Sequence, residues 1–192
     1  MTAQNRPGRL KTVFLDRDGV INRDSAAYIK SWQEFEFLPG SLEALRRLTA
    51  SGFTILVVTN QSAVGRGLIS SETLAGIHRN MRSAIRRHGG RIRDVFFCPH
   101  VPQAGCDCRK PRPGLILQAQ QRYGIDLEAA AMVGDSARDI ACARRAGCAL
   151  AVRVRSGIQD SVQQPPAAVE TVADHVAENL LDAARWLMRR SR

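Results

Sequence analysis

Three aspartates in this sequence have the residue type and the positions needed for a magnesium site. Asp16 and Asp18 follow an apolar run with one residue between them, and Asp135 follows a second apolar run. If the strand geometry continues, side chains two positions apart point the same way. Carboxylate oxygens suit Mg²⁺, an ion that usually keeps several waters and binds substrate phosphate as well. The pattern therefore indicates magnesium-dependent chemistry on a phosphorylated substrate.

Three cysteines and one histidine are spaced as the ligands of a single metal ion. They form a CxH pair and a CxC pair within eleven positions, at Cys98, His100, Cys106 and Cys108. Three thiolates and one imidazole suit a structural Zn²⁺ site in which protein fills all four tetrahedral positions. The alternative is three unrelated cysteines beside a chance histidine, which the paired spacing disfavours. The other two cysteines, Cys142 and Cys148, lie apart, and packing in the core explains them.

The elements that must position these residues follow from an alternation of apolar runs and helical periodicity. Strands are predicted at residues 12–15, 53–58, 94–97, 131–133 and 150–154, and helices at 41–51, 71–88, 113–123, 136–146 and near 179–190. This alternation predicts an α/β fold, a Rossmann-like parallel sheet covered by helices on both faces in three layers. A turn-rich stretch at 163–166 precedes the last helix. Residues 156–192 carry no recognisable chemistry, and we expect them to close one edge of the fold.

Polar side chains fall at the carboxyl ends of four predicted strands. They are Asp16 and Asp18, Thr59 and Asn60, Cys98 and His100, and Asp135. In an open parallel sheet, ligands bind beyond these ends. One such residue is ordinarily a turn residue or a helix cap. Four converging sets favour an active site at this edge.

The composition limits the classes of protein to consider. The chain has 192 residues, of which 44% are hydrophobic, so we expect one domain over 1–192 with a core at about 11–157. No run approaches the roughly 20 apolar residues of a membrane span, and the N-terminus lacks the apolar segment of a signal peptide. We therefore expect a cytoplasmic protein with no membrane partner, and a monomer because no apolar stripe requires a second chain.

The charge of the chain raises a nucleic-acid alternative. Lys and Arg number 28 against 18 Asp and Glu, a net charge of +10, which suits a polyanionic partner. A zinc-containing nucleic-acid-binding module is therefore one alternative. Such modules need aromatic stacking platforms or clustered basic faces, whereas aromatic residues make up only 5% of the chain and its arginines are spread along its length. An enzyme without a nucleic-acid partner is favoured.

Four segments resemble, in order, the motifs of the haloacid-dehalogenase superfamily of phosphatases. They are residues 14–22 (FLDRDGVIN), 59–61 (TNQ), Lys110 and 134–139 (GDSARD). The resemblance implies that Asp16 is a nucleophile that forms an aspartyl-phosphate, and that Asp18 is the acid that protonates the leaving oxygen and then activates water. It also implies that Thr59 and Lys110 hold phosphoryl oxygens. Mg²⁺ would be bound by Asp16, Asp135 and the backbone carbonyl of Asp18.

Within that superfamily, the chain is most similar to the D-glycero-D-manno-heptose-1,7-bisphosphate 7-phosphatase family. The similarity lies in the zinc loop (CPHVPQAGCDCRKPRPG) and in the segments DRDGVINRDSAAYIKS and TNQSAVGRGL. It implies a sugar bisphosphate substrate from the pathway to nucleotide-activated heptose for lipopolysaccharide core. The 43 positions from Asp16 to Thr59 hold one predicted helix and a loop, so we expect no full cap domain there. The similarity also implies that Arg109 recognises the part of the substrate that does not react. The other implied substrate contacts are Asp24, Ser25, Ala26, Ala27, Thr59, Asn60, Gln61, Ser62 and Lys110.

One position departs from the family pattern. Some members carry Lys after the aspartate of the fourth motif, where this chain has Ser136. Arg138 or Arg66 is a candidate to compensate, and a solvated surface arginine is the alternative for each. The sequence leaves two roles open for Asp139. It either steadies Lys110 or the metal, or it is an acid in the first turn of its helix.

Histidinol-phosphate phosphatases are the nearest alternative, since they resemble the chain in the four motifs and the zinc loop. The segment 62–67 (SAVGRG) fits the heptose enzymes better. Histidinol phosphate also carries a cationic amine, which a pocket containing Arg109 would repel.

Overall fold

A computed structural model describes residues 10–157 and 172–191. Within these ranges six strands form one sheet in the order β3-β2-β1-β4-β5-β6, and every pairing is parallel. The strands are β1 Thr12–Leu15, β2 Thr54–Asn60, β3 Ile92–Cys98, β4 Ala130–Gly134, β5 Leu150–Val154 and β6 His175–Ala177. The α-helices are α1 Ser41–Ala50, α2 Ser62–Gly65, α3 Ser71–Arg87, α4 Gly114–Tyr123, α5 Ala137–Ala146 and α6 Leu180–Arg190.

The predicted three-layer parallel architecture is confirmed. All five predicted strands and all five predicted helices are present, with ends shifted by at most two residues. Four short elements of the described residues were not predicted: the single-turn helix α2, the edge strand β6 and two 3₁₀ helices, Pro102–Ala104 and Leu127–Ala129. A three-residue strand with a half-buried histidine and an exposed valine gives no apolar run to detect. The turn-rich stretch 163–166 lies outside the described residues.

Alternate residues of the central strand β1 face two separate cores. Val13 and Leu15 pack with α1, α3 and α6 on one side of the sheet. Phe14 packs with α4 and α5 on the other side. Helices on both faces bury the central strands β1, β2 and β4, as their continuous apolar runs require. No helix in the described part of the chain is long and apolar enough to cross a membrane.

Neighbouring strands carry the motif residues to one edge. β1 lies between β2 and β4, with Leu15 beside Val57 on one side and Val133 on the other. The residues that follow these three strands therefore emerge side by side. Between β1 and β2 the chain has one helix, α1, and the loops that flank it.

Candidate active site

A cavity of about 340 Å³ opens at the carboxyl edge of the sheet. It lies beyond β1, β2 and β4, where the strand-end rule places a ligand site. The sequence-predicted residues that line it are Asp16, Asp18, Asp24, Ser25, Ala26, Thr59, Asn60, Gln61, Ser62, Arg109, Lys110 and Asp135. Ala27, which was also predicted to contact substrate, is exposed beside this group and does not line the cavity.

Asp16 is the first residue after β1. Its backbone N–H donates to the carbonyl of Val133 at 2.9 Å, which continues the pairing of β1 with β4. Its Oδ1 atom accepts a hydrogen bond from the N–H of Arg17 at 2.7 Å and lies 2.9 Å from Nζ of Lys110. Burial raises the pKa of Asp16 to about 7 although the charge of Lys110 opposes it. Such a carboxylate gains stability as an anion when a divalent cation binds beside it.

Lys110 reaches the cavity between two carboxylates. Its Nζ lies 2.6 Å from Oδ1 of Asp139, in the first turn of α5, and 2.9 Å from Asp16. Burial would lower the pKa of Lys110, but Asp139 and Asp16 together hold it above its ordinary value. The site therefore contains a fixed cation next to the expected nucleophile.

Asp139 has both of the roles that the sequence left open. Its Oδ2 atom accepts from the N–H of Ser136 at 3.1 Å and from the Ser136 hydroxyl at 2.7 Å, which completes a capping box at the start of α5. Its Oδ1 atom pairs with Lys110. Ser136 is thus occupied by the helix cap.

Asp18 is held by three side chains. Arg17 donates to both carboxylate oxygens at 2.8–3.0 Å, Asn22 donates to Oδ1 at 2.8 Å, and Gln61 donates to Oδ2 at 2.7 Å. Burial tends to raise the pKa of Asp18, but Arg17 and the hydrogen bonds from Asn22, Arg17 and Gln61 hold it below its ordinary value. Before substrate binds, this group is a charged and fixed carboxylate.

The donor set fits a magnesium ion. Asp16, Asp135 and Asp139 each offer a carboxylate oxygen, and these atoms lie within 4.8 Å of one another. Both oxygens of Asp139 are already engaged, Oδ1 by Lys110 and Oδ2 by Ser136, so Asp16 and Asp135 are the carboxylates best suited to the ion. Burial raises the pKa of Asp135 to about 9, and the charges of Asp139 and Asp16 add to the effect. The Asp18 side chain faces Arg17, so its predicted contribution falls to the backbone carbonyl.

Asn60 and Gln61, at the end of β2, bond to other site residues. The Asn60 side chain accepts from the N–H of Lys110 at 3.0 Å and donates to the carbonyl of Lys110 at 3.2 Å. Gln61 donates to Asp18 and also to the hydroxyl of Thr59 at 3.0 Å. Both residues line the cavity, and these contacts show that they also fix Lys110, Asp18 and Thr59.

The four predicted zinc ligands converge in the loop after β3. Sγ of Cys106 lies 3.6 Å from that of Cys98 and 3.5 Å from that of Cys108, and Nδ1 of His100 lies 3.6 and 3.3 Å from Cys98 and Cys108. A tetrahedral ion with Zn–S of about 2.3 Å and Zn–N of about 2.0 Å places its ligand atoms about 3.5–3.8 Å apart. The spacing of the four atoms therefore fits Zn²⁺. Cys142 and Cys148 are buried away from this cluster, in the second core.

The loop that carries the four predicted zinc ligands is hydrogen-bonded to residues on both sides of the cavity. The N–H of Gln61 donates to the carbonyl of Cys98 at 2.7 Å, and the N–H of Gly65 donates to that of Pro99 at 3.0 Å. A Cβ at Gly65 would come within 2.5 Å of the Pro99 carbonyl oxygen, so helix α2 packs directly on this loop. Arg109, on the cavity side, donates to the carbonyl of His100 at 3.0 Å.

Comparisons with known proteins place this geometry in a family. A HAD-hydrolase-like family model matches residues 107–183. A D-glycero-beta-D-manno-heptose-1,7-bisphosphate 7-phosphatase of Bordetella bronchiseptica is 48% identical over 140 residues, which cover 73% of this chain and 78% of the relative. The chain belongs to the D-glycero-β-D-manno-heptose-1,7-bisphosphate 7-phosphatase family. A relative of the same name from Yersinia pestis is 35% identical over 93% of this chain and 95% of its own length.

A solved structure agrees with this membership of the heptose-bisphosphatase family. The crystal structure of the D,D-heptose 1,7-bisphosphate phosphatase from B. bronchiseptica, in complex with magnesium and phosphate, superposes with a TM-score of 0.84 at 40% identity. The match covers 94% of this chain and 99% of that one. The chain is thus a haloacid-dehalogenase-type phosphatase, and its fold and enzyme class agree with those expected from the sequence.

This heptose-bisphosphatase-family site also contains residues that sequence reasoning missed. Tyr28 lines the cavity with a left-handed backbone, φ 62°. Ser156 donates through its hydroxyl to the carbonyl of Gly19 at 2.8 Å, and a Cβ at Gly157 would overlap the carboxylate of Asp135. The expectation that residues 156–192 carry no chemistry was therefore incomplete, because Gly157 lies against the carboxylate of Asp135 and Ser156 bonds to the loop that follows Asp18. A tyrosine or a serine–glycine pair in a loop gives no sequence signal for such contacts.

Proposed function

We propose that the protein is a magnesium-dependent phosphatase that removes the 7-phosphate of D-glycero-β-D-manno-heptose 1,7-bisphosphate, on the pathway to nucleotide-activated heptose. The observation that carries the proposal is the half-buried carboxylate of Asp16, 2.9 Å from Lys110 and grouped with Asp135. The names of the relatives support the substrate and its β anomer. The sequence alone left the anomer open.

Asp16 is the proposed nucleophile. One of its oxygens attacks the 7-phosphorus, the bond from phosphorus to O7 breaks, and an aspartyl-phosphate forms. Lys110 and the hydroxyl of Thr59 contact the phosphoryl oxygens, where charge is concentrated in the transition state. Magnesium, held by Asp16, Asp135 and the carbonyl of Asp18, would supply further positive charge to these oxygens.

Asp18 is the proposed proton donor and acceptor. It delivers a proton to O7 as the sugar leaves, and then takes one from the water that hydrolyses the aspartyl-phosphate. Its pKa is low before substrate binds because of Arg17, Asn22 and Gln61. A phosphate dianion beside it raises that pKa, since a like charge disfavours the ionised form. Substrate binding therefore favours the protonated acid that the first step needs.

The second phosphate of the substrate is proposed to bind at the arginines of the cavity rim. Arg66, Arg109 and Arg138 line the cavity together with Asp24, Ser25 and Ala26. Burial lowers the pKa of Arg109 and the charge of Arg138 lowers it further, which agrees with the two guanidinium groups lying near each other in the cavity. Arginine can donate to two phosphate oxygens at once. This concentration of positive charge disfavours histidinol phosphate, whose amine is cationic.

Zinc in the Cys98, His100, Cys106 and Cys108 cluster is proposed to be structural. The loop from 99 to 108 has few buried side chains, and Arg109 and Lys110 follow its last ligand directly. A bound ion orders the loop and so fixes both cations, Arg109 and Lys110.

We further propose one domain over 1–192 that acts as a cytoplasmic monomer on this small sugar phosphate, without a nucleic-acid partner.

The test is a side-by-side assay of D-glycero-β-D-manno-heptose 1,7-bisphosphate and histidinol phosphate. ³¹P NMR should show the heptose 7-phosphate converted to inorganic phosphate while the 1-phosphate remains, with kcat/KM well above that for histidinol phosphate. A preference for histidinol phosphate would overturn the substrate assignment.

Asp16→Asn should abolish release of phosphate while the thermal unfolding midpoint shows a folded protein. Substantial turnover by that variant would rule out covalent catalysis at Asp16.

A further inference from the structure

Arg17, between the two aspartates of the first motif, is one of the most buried side chains in the described part of the protein. Its exposed fraction is 1%. Nε and Nη2 of its guanidinium face Asp18, with donor–acceptor distances of 2.8–3.0 Å. The remaining terminal nitrogen, Nη1, points away from Asp18 and lies 3.3 Å from Nε2 of His78. Arg17 therefore connects Asp18 to helix α3.

His78 must accept the hydrogen bond from Arg17. A guanidinium has only donors, so Nε2 of His78 carries no proton and Nδ1 carries it. His78 lies on the buried face of α3 with 7% of its surface exposed, and its ring packs edge-on against Phe97 at 5.8 Å between centroids. Burial and the charge of Arg17 lower the pKa of His78 to about 3, which agrees with a neutral ring.

We propose that His78 and Arg17 are positioning residues, which hold the Asp18 carboxyl in the orientation from which it protonates the leaving oxygen of the substrate. This inference rests on the role given to Asp18 in the proposed function. The Arg17 side chain has several rotatable bonds, and its three hydrogen bonds to Asp18 all come from one edge of the guanidinium, Nε and Nη2, about which the group can still turn. The contact from Nη1 to the His78 ring, which is packed between α3 and β3, stops that rotation.

Loss of this support should weaken proton donation more than any other step. A displacement of about 1 Å in a reacting group costs up to about 100-fold in rate. That cost depends on the leaving group, because a good leaving group departs without help from an acid. A general loosening of the fold would instead slow good and poor leaving groups alike.

The experiment compares phenyl phosphate with p-nitrophenyl phosphate, which have nearly the same shape but differ in how readily the aryl oxygen leaves. The quantity measured is kcat/KM, which reports the steps up to departure of the leaving group. The variants are His78→Leu, which has no acceptor, and His78→Gln, whose side-chain oxygen can replace Nε2. Met81→Ala, a cavity at a fully buried position of the same helix, is the control for destabilisation. Asp18→Asn sets the pattern expected when the acid is absent.

We expect His78→Leu to lose about 10- to 100-fold in kcat/KM with phenyl phosphate and less than about threefold with p-nitrophenyl phosphate. Asp18→Asn should show the same bias between the two substrates. His78→Gln should restore most of the loss, and Met81→Ala should lower the unfolding midpoint without changing the ratio of the two substrates. Arg17→Lys has one side-chain nitrogen in place of the three that Arg17 uses toward Asp18 and His78, so it should behave as His78→Leu does. If His78→Leu does not fold, Arg17→Lys takes its place in the comparison.

The inference would be overturned if His78→Leu lost equally in kcat/KM with both substrates. It would also be overturned if the ratio of the two kcat/KM values were the same in His78→Leu as in Met81→Ala. The wild-type protein separates this result from a failure of the proposed function. If the wild type does not release phosphate from the heptose bisphosphate, the proposed function fails. If it does and the variants show no leaving-group bias, only the positioning role fails.

Discussion

Nζ of Lys110 lies 2.6 Å from Oδ1 of Asp139, and both side chains are almost wholly buried. The pair contributes no net charge to the cavity. Lys110 also lies 2.9 Å from Asp16, but its single charge cannot neutralise three carboxylates, and burial raises the pKa of Asp16 and Asp135. This excess of negative charge suits a divalent cation beside the lysine.

Asp139→Asn should reduce both activity and stability. It leaves the buried ammonium of Lys110 with Asp16 as its sole counter-charge and so diverts Asp16 from the metal. Groups that orient a metal ligand typically contribute about 10- to 100-fold to activity, and the loss of one partner from a buried ion pair costs about 3–5 kcal/mol. Steady-state kinetics and denaturant unfolding measure the two effects.

Asp182→Asn is the matched control for that variant. Asp182 is also an acid in the first turn of a helix, and its Oδ2 accepts from a backbone N–H at 3.3 Å. If Asp139 only capped its helix, the two variants would lose similar stability, about 1 kcal/mol or less, with full activity. That outcome would contradict a link from Asp139 to catalysis.

The free energy of unfolding of the magnesium-free protein should fall as the pH rises from 7 to 9. Asp135 has a pKa of about 9 in the folded protein, whereas in the unfolded chain it is ionised throughout this range. The folded state therefore binds more protons, and stability declines by at most about 1.4 kcal/mol per pH unit for this group. Urea unfolding at several pH values, with zinc retained, measures the slope.

Added magnesium should make the free energy of unfolding depend less on pH, because the ion takes the place of the proton on the carboxylate of Asp135. Asp135→Asn should have the same effect in the absence of magnesium, since the group no longer titrates. A wild-type slope that neither treatment changes would show that other groups cause it.

Gly157→Ala should weaken magnesium binding although the residue lies outside the four motifs. A Cβ at this position overlaps the carboxylate of Asp135, so either the carboxylate or the segment must move. We expect the magnesium concentration for half-maximal activity to rise about 10- to 100-fold. Gly76→Ala, at a half-buried position of α3 with space for a Cβ, should leave this concentration unchanged and stabilise the helix by about 0.5–1 kcal/mol.

Cys108→Ser should remove zinc and, with it, most of the activity. Arg109 and Lys110 follow this ligand, so disorder of the loop displaces both cations from the cavity. Metal analysis should fall from about one zinc per chain to a small fraction, with kcat/KM lower by about tenfold or more. Cys142→Ser, a buried thiol that donates to the carbonyl of Arg112 at 3.4 Å, should keep its zinc. Full activity in zinc-free protein would contradict a structural role for the ion.

The sequence alone determined the alternation of strands and helices and the residues at the strand ends. These features are local: apolar runs and helical periodicity depend on neighbours within a few positions. The spacing of Cys98 and His100 from Cys106 and Cys108 is also local, and the structure brings all four together. The edge strand β6 was missed because its three residues carry too little apolar pattern.

Only the tertiary structure decided which of these residues restrain one another. Asn60 bonds to the backbone of Lys110 across 50 positions, and Arg17 meets His78 across 61. Gly157 lies against Asp135 because β5 pairs with β4 and returns the chain to the same edge of the sheet. Contacts between distant segments depend on how the helices and strands pack, and no periodicity in the sequence records that packing. The motifs thus predicted which groups react, and the fold fixed their orientation.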